Sequence, residues 1–399
     1  MRVSANFKQG RAPSRLHACA SLLVVPLLFL MHLWSETQHG FENSWNVGIE
    51  VFPLSSSGNT DLLLPYEFLL YSPISRFLQQ LYTDIDLHRA ALVASSNDRM
   101  RMQYVYVPIY SGLLYHLCSD PAHGQLTIEE VQKAGLVCVT LNELVEQVTS
   151  SQLWRSTQGK NFIWPHAHAF AYHTLSHENY RAVSQGILFS VEPTHFLAHA
   201  NASARYCIIP YAVVEPQSLV MDESGFGFNI DSVRLHKVCF GGRNQTRIRA
   251  DMLNAMSSQE DGSHIITATD HQLYMRELMT CDFCLIPDGD VASTGRLFES
   301  LVAGCIPVIK SPELLLPFTR IVNWTEISLR YDGHTPAVEI LKHLRDLSVQ
   351  DVRDFRKRIA DIKPSHMFAF QNPLTLPVKH ASRHRTLGDY LFEDCLQQF

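Results

Sequence analysis

The chain has no surplus of basic residues. Lys and Arg number 33 against 39 Asp and Glu, for a formal charge of -6. That balance excludes a nucleic-acid binder working by bulk positive charge. Charge of either sign is sparse, at 18% of residues against 46% apolar ones, which excludes a disordered chain. Nine cysteines in 399 residues are too few for a small disulfide-stapled scaffold. No internal repeat or low-complexity tract occurs, and only one apolar run approaches membrane-spanning length. The remainder is long enough for two ordinary domains, each with its own core.

The apolar run is Ala18 to Trp34, preceded by Lys8, Arg11 and Arg15 and followed by Glu36. As a helix it would reach about 26 Å, slightly under a typical hydrocarbon core. Such a span suits the thinner membranes of the early secretory pathway. The basic flank lies before the run, which leaves the N-terminus cytosolic and the rest translocated. A cleaved signal peptide is the rival reading. No small-x-small pair follows the run, and this favours an uncleaved anchor. Residues 36–60, rich in Ser, Asn and Gly, read as a stem.

Eight cysteines lie beyond that run. An even number permits disulfides in a translocated chain, although their pairing is not readable from sequence. Cys118 with Cys138 is the most local plausible bridge. Cys281-x-x-Cys284 has no second pair at zinc spacing, so its cysteines are expected to be buried or bridged on a strand. N-x-S/T sequons occur at Asn201, Asn244 and Asn323, acceptor sites if the chain enters the secretory pathway.

Short apolar runs punctuated by Gly and Pro predict strands at Tyr104–Pro108, Asn161–Trp164 and Cys207–Pro210. Asp222–Asn229 has little periodicity and reads as a domain boundary. Beyond it the pattern sharpens. Strands are expected at Val238–Phe240, His264–Thr267, Phe283–Ile286 and Cys305–Ile309. Helices alternate with them at Gln245–Met256, around Tyr274–Leu278 and at Thr294–Ala303, the last stopped by Gly304. Strands alternating with helices imply a parallel sheet covered by helices, with ligands bound beyond the carboxyl ends of the strands.

Two strand-to-helix turns carry the chemistry. In Phe240-Gly241-Gly242-Arg243 the glycines let backbone amides approach an anion, the following helix offers its positive end, and Arg243, Arg247 and Arg249 add charge. The alternative is an ordinary turn with solvated arginines. The second turn runs from Pro287 to Arg296, with Ser293 and Thr294 as possible helix caps. Arg296 and Glu299, three apart on one helix face, suit a nucleotide diphosphate: the guanidinium for phosphate oxygens, the carboxylate for ribose hydroxyls. A surface i,i+3 ion pair is the plain alternative. Asp288-Gly289-Asp290 has the form of a metal-holding D-x-D pair, but Asp and Gly also favour turns for purely conformational reasons.

Tyr274 to Pro287, then Gly289-Asp290, Ser293, Arg296-Leu297-Phe298-Glu299 and Gly304 to Ile309, together resemble the signature of the exostosin family, glycosyltransferase family 47. Leu316-Pro317-Phe318 and Asn323-Trp324 continue the pattern, and Phe240-Gly241-Gly242 with Arg249 is similar to the family's earlier glycine turn. The resemblance is dense over residues 238–324. It is looser in the first half, at Leu81–Tyr110 and at Trp164-Pro165-His166-Ala167-His168-Ala169-Phe170. There His168 matches a family histidine, and Ala167 stands where many members carry Asp or Asn.

The resemblance implies an α/β chain of the GT-B kind, two Rossmann-like domains facing a cleft, behind an N-terminal membrane anchor helix. On that reading residues 1–35 are cytosolic tail and anchor, and 36–60 are stem. Residues 61–225 form the acceptor-side domain and 226–345 the nucleotide-sugar domain. Residues 346–399 are helices packing back across both. It further implies a single-pass type II Golgi membrane protein with a luminal catalytic part. Sugar would pass from a nucleotide sugar to a glycan or glycoprotein acceptor, with inversion and with no metal or other cofactor. Donor binding is expected at Gly241, Gly242, Arg243, Arg249, Ser293, Arg296 and Glu299. His168 is the first candidate for the base that takes the acceptor proton, with His166 and Glu192 as alternatives. Glycans are expected on Asn201 and Asn323 but not on Asn244, which would crowd the phosphate turn. A non-catalytic partner within a glycosyltransferase complex remains an alternative, supported by Ala167 and opposed by the Arg296/Glu299 pair. A membrane-anchored carbohydrate-binding module without nucleotide affinity is another.

Overall fold

A computed structural model describes residues 48–51, 102–109, 111, 141–199, 204–214, 228–242, 244, 246–258, 262–268, 270–289, 291–370 and 387–398. The expected anchor at residues 18–34, Asn201, Arg243, Asp290 and the Cys118/Cys138 pair lie outside the described residues. No helix among the described residues is long and apolar enough to cross a membrane.

Two five-stranded parallel sheets organise the chain. The first joins β1 (Gly48–Val51), β2 (Met102–Tyr106), β3 (Phe162–His166), β4 (Ile187–Ser190) and β5 (Arg205–Ile208) in that order. Within the stretch read as stem, Gly48 to Val51 pair in parallel with β2. The Gly-Ile-Glu-Val stretch is too short and too close to polar residues for periodicity to reveal it. The connections carry α1 (Leu141–Thr149), α2 (Gln152–Thr157), α3 (His177–Val183) and α4 (Thr194–His199).

A sheet that grows strand by strand in one direction, through right-handed crossovers, places its connecting helices on one face. Residue alternation in the strands follows this. Val105, Phe162, Trp164 and Leu188 pack with Leu144 and Val148 of α1 and with Val183 of α3. Their neighbours Tyr106, Ile163, Ile187, Phe189 and Cys207 point to the opposite face and join a second core. That face is covered from far along the chain, as described below.

The short β6 (Val213–Val214) leads toward the second sheet. Its strands are β7 (His236–Gly241), β8 (Ser263–Ile266), β9 (Cys281–Pro287), β10 (Ile306–Lys310) and β11 (Leu329–Arg330). They lie in the order β8-β7-β9-β10-β11, all parallel. The helices are α5 (Arg247–Ser257), α6 (His271–Leu278), α7 (Arg296–Val302), α8 (Ala337–Asp346) and α9 (Val349–Asp361). Buried Met252 and Met256 of α5 and Met275 and Leu278 of α6 face the core. α7 begins at Arg296 rather than at Thr294, because Gly295 is its N-cap and no side chain caps it. Gly304 ends it at φ +64, with Cys305 N–H donating to the Ser300 carbonyl at 2.8 Å, the bond that closes a Schellman motif.

Cysteines pin adjacent strands of this sheet. Cys239 is bonded to Cys281 and Cys284 to Cys305, so both members of the C-x-x-C pair are bridged, each to a different partner. After α9 the chain returns to the first unit. β12 (Ala369–Phe370) pairs with β6. α10 (Leu387–Leu396) then lies on the open face of the first sheet. Phe392 packs against Tyr106 and Phe189 with ring centroids 6.1 and 5.5 Å apart, and Cys395 is bonded to Cys207.

Phe392 is therefore the plug of that face. Phe392→Ala is expected to cost about 3–5 kcal/mol through the buried ring and the void left behind, measured as a fall in the urea unfolding midpoint. A loss under about 1 kcal/mol would show that α10 does not close the sheet.

Candidate functional site

Strand order in the second sheet reverses between β7 and β9. In open α/β sheets that reversal opens a crevice beyond the strand ends. The two ends are Gly241-Gly242 and Pro287-Asp288-Gly289, the turns singled out in the sequence.

Arginines from two helices lie against these turns. A Cβ on Gly242 would meet the Arg296 guanidinium at 3.3 Å and the tip of the Phe240 ring at 2.8 Å. Only a bare backbone lets Arg296 settle there. At the other turn a Cβ on Gly289 would lie 2.7 Å from a terminal nitrogen of Arg249, and Arg249 Nε donates to the Asp288 carbonyl at 3.0 Å. Arg249 is only 5% exposed. It ties α5 to the β9 turn, a role its count as a charged residue did not reveal. Thr246 caps α5 by accepting from the Arg249 amide at 3.3 Å.

Glu299 is 5% exposed, with Oε1 3.8 Å from His271 Nδ1. Tyr274, packed over Gly241, has its hydroxyl pushed well above the phenol range, first by burial and then by the Glu299 charge, with Arg296 pulling the other way. It stays a phenol and donates to Glu299. His271 and Tyr274 were missed as site residues: their three-residue spacing on α6 reads as packing.

The first unit reaches this site through Glu192, just past β4 and 2% exposed. Its Oε2 accepts from the Ser293 amide at 3.2 Å, and its Oε1 accepts from the Thr194 amide at 3.0 Å and the Thr194 hydroxyl. The Ser293 hydroxyl lies 3.3 Å from the Tyr211 hydroxyl, whose pKa is pushed up to about 12, chiefly by burial. Ser293 is thus held by the first unit and caps no helix. Thr294 Oγ1 accepts from the Arg296 amide at 3.4 Å.

Beside the β9 turn the Asp288 carboxylate and the Ser311 hydroxyl are buried against each other. Burial is the main cause that raises the Asp288 pKa; the Ser311 hydroxyl and Arg249 oppose it, while Glu313 and Glu192 add to it. Among the described residues, the group of metal-type donors close enough to share an ion is Cys207, Asp394 and Cys395, whose two cysteines are bonded to each other.

His168 fares differently. Its Nδ1 accepts from the Phe170 amide at 3.2 Å, so taking a proton at Nδ1 would break a local turn bond. His166, at the end of β3, lies 2.6 Å by its Nδ1 from Ser190 Oγ. Its pKa is lowered to about 3 by burial first, then by His168 and His195. Ala167 is buried, its amide donating to Ser111 Oγ at 2.9 Å. Asn323 is exposed, with Nδ2 donating to Glu326 Oε1 and Oδ1 accepting from Thr325, both at 2.8 Å. Asn244 is exposed beside the first turn.

The fold is that of a two-unit parallel α/β protein, with basic side chains laid on glycine turns at a strand-order reversal. The model of the Exostosin GT47 domain matches residues 50–344, and the chain belongs to that family. A probable glucuronoxylan glucuronosyltransferase of Arabidopsis thaliana, IRX7, is 24% identical over 309 residues, 71% of this chain and 63% of its own length. The probable arabinosyltransferase ARAD1 of the same plant is 20% identical over 322 residues, 77% and 65% of the two chains. Exostosin-like 1 of Mus musculus is 36% identical over 81 residues, 20% and 12%. The matched part of this chain thus spans less than two thirds of each of these relatives. A crystal structure of Anabaena HepE in complex with UDP-glucose aligns with 81% of this chain and 96% of its own, at 11% identity and a TM-score of 0.37.

The His166 environment has a pH consequence. The unfolded imidazole binds a proton below about pH 6.5, whereas the folded one does so only near 3. Acidification through that window therefore favours unfolding. Between pH 7 and pH 5 this group alone is expected to remove about 2 kcal/mol of stability. His166→Gln should flatten the pH dependence of the denaturant midpoint by that amount. An unchanged slope would refute the assignment.

Proposed function

We propose that the chain is a nucleotide-sugar-dependent glycosyltransferase that passes a sugar, with inversion, to a glycan or glycoprotein acceptor. The convergence of Arg296 on Gly242, facing the Gly289 turn braced by Arg249, carries this reading. A guanidinium beside bare backbone is the chemistry that would stabilise the charge of a leaving diphosphate. Glu299, held by Tyr274 and His271, is positioned for ribose hydroxyls. The names of the relatives, glucuronosyltransferase and arabinosyltransferase, support the reaction class.

An inverting transfer needs a base on the acceptor side. We assign this to Glu192 rather than to His168. Its carboxylate comes from the first unit, touches the donor turn through Ser293, and is acceptor-only when ionised. The three bridged cysteine pairs fit an oxidising compartment. A luminal Golgi location behind the 18–34 anchor, a mechanism without metal, and glycans on Asn201 and Asn323 complete the proposal.

Arg296→Ala is expected to weaken nucleoside diphosphate binding at least tenfold, a difference of about 1.4 kcal/mol, and to abolish turnover. Calorimetry with nucleoside diphosphates checks the first; unchanged affinity would remove Arg296 from the donor site. Glu192→Gln is expected to lower turnover about 10²- to 10⁴-fold. Release of free nucleotide from a panel of nucleotide sugars reads this out. Near-normal release would exclude Glu192 as the base. Nucleotide binding by the unaltered chain with no release from any donor would favour the non-catalytic partner.

A further inference from the structure

The first unit holds a cavity of about 370 Å³ that the donor machinery does not use. It opens past the carboxyl ends of β3 and β4, the strands that carry His166 and, two residues beyond Ser190, Glu192. Tyr172, Tyr180 and Phe196 form a buried floor, and exposed His195 and His199 stand at the rim. None of the described residues lining it carries a carboxylate, an ammonium or a guanidinium, so these residues offer an ionic ligand no fixed counter-charge. Flat aromatic surface and imidazole nitrogens are what the cavity offers, the combination that suits a small ring bearing both apolar C–H faces and hydroxyls.

Hydrogen-bond accounting gives the imidazoles defined roles. Ser190 is fully buried, and its Oγ accepts from the Glu192 amide at 3.0 Å. Its own proton has one acceptor, His166 Nδ1 at 2.6 Å. Any other placement leaves a buried hydroxyl proton unpaired. His166 therefore carries its proton on Nε2 and presents a donor to the cavity. This also removes His166 as a base in its resting form. His199 is its complement. Its Nδ1–H donates to the His195 carbonyl at 2.7 Å, leaving Nε2 as an acceptor on a neutral ring. That ring stacks on Tyr180 at 5.4 Å and 15°. The Tyr180 hydroxyl, pushed up to about 12 by burial, stays protonated. At the mouth, Phe170 and His195 pack with ring centroids 4.7 Å apart. A hydroxyl group both donates and accepts, and one donor and one acceptor are what His166 and His199 provide.

We propose that this cavity is a subsite for an uncharged pyranose ring of the acceptor, gripped by Phe170 and the aromatic floor and oriented by His166 and His199. Its place in the reaction rests on the glycosyltransferase reading; its affinity for a sugar does not. The test is saturation-transfer NMR on the full chain without nucleotide, with the methyl β-glycosides of glucose, galactose, xylose and glucuronic acid as probes. At least one neutral glycoside is expected to receive saturation on its ring C–H protons. Phe170→Ala and His199→Ala, at half-buried and exposed positions, are each expected to weaken that binding about tenfold or more. The same two variants should leave calorimetric nucleoside diphosphate affinity unchanged. Absence of binding by every neutral glycoside, or equal affinity in both variants, would overturn the proposal. A glucuronide bound tenfold more tightly than the glucoside would overturn its restriction to uncharged rings. Sugar binding that persists in a chain with no nucleotide affinity would uphold the cavity and defeat the transferase reading instead.

Discussion

One buried carboxylate joins the two halves of the site. Glu192 leaves the first sheet at the end of β4, and its oxygens take an amide from its own loop and the Ser293 amide of the β9 turn. A buried charge persists only where donors surround it. The Ser293 turn thus meets a requirement of the first unit, and Glu192 meets one of the second. Tyr211 contacts the same serine by its hydroxyl. The spacing between the two units is set here, by a hydrogen bond between residues 101 apart in the sequence rather than by loop length.

Around that joint the donor turns are shaped by absence as much as by presence. Gly242 and Gly289 leave room, and Arg296 and Arg249 fill it. Arg249 spends its Nε on the Asp288 carbonyl and acts as a brace. Arg296, half-buried over the opposite turn, is the guanidinium better placed for a phosphate. Asp288 and Ser311, at the ends of neighbouring strands β9 and β10, bring a buried carboxylate and a hydroxyl together beside the crevice.

How much of this was legible in the sequence depended on the range of the interaction. Four strands of the second sheet were readable from short apolar runs, as at Phe283–Pro287; β11, the two residues Leu329–Arg330, was not. The pairing of Gly241-Gly242 with Arg296 and Glu299 was readable because all four lie at predicted strand-to-helix turns. β4 was not: Ile187–Ser190 is four residues long with no alternation to mark it. The start of α7 was misplaced by two residues because Thr294 resembles a cap while Gly295 holds that position. The local setting of His168 was not legible either. Its Nδ1 is occupied by a backbone amide two residues on, a local turn geometry that residue type does not disclose.

The covering of the first sheet by α10 bears on the order of synthesis. β5 leaves the ribosome long before Leu387–Leu396, and Cys207 precedes its partner Cys395 by 188 residues. Until that helix arrives, Tyr106 and Phe189 lack the Phe392 ring that packs on them. Contacts of such separation form late. The first unit is therefore translated first but completed last, and during that interval its open face is the surface on which a chaperone would act.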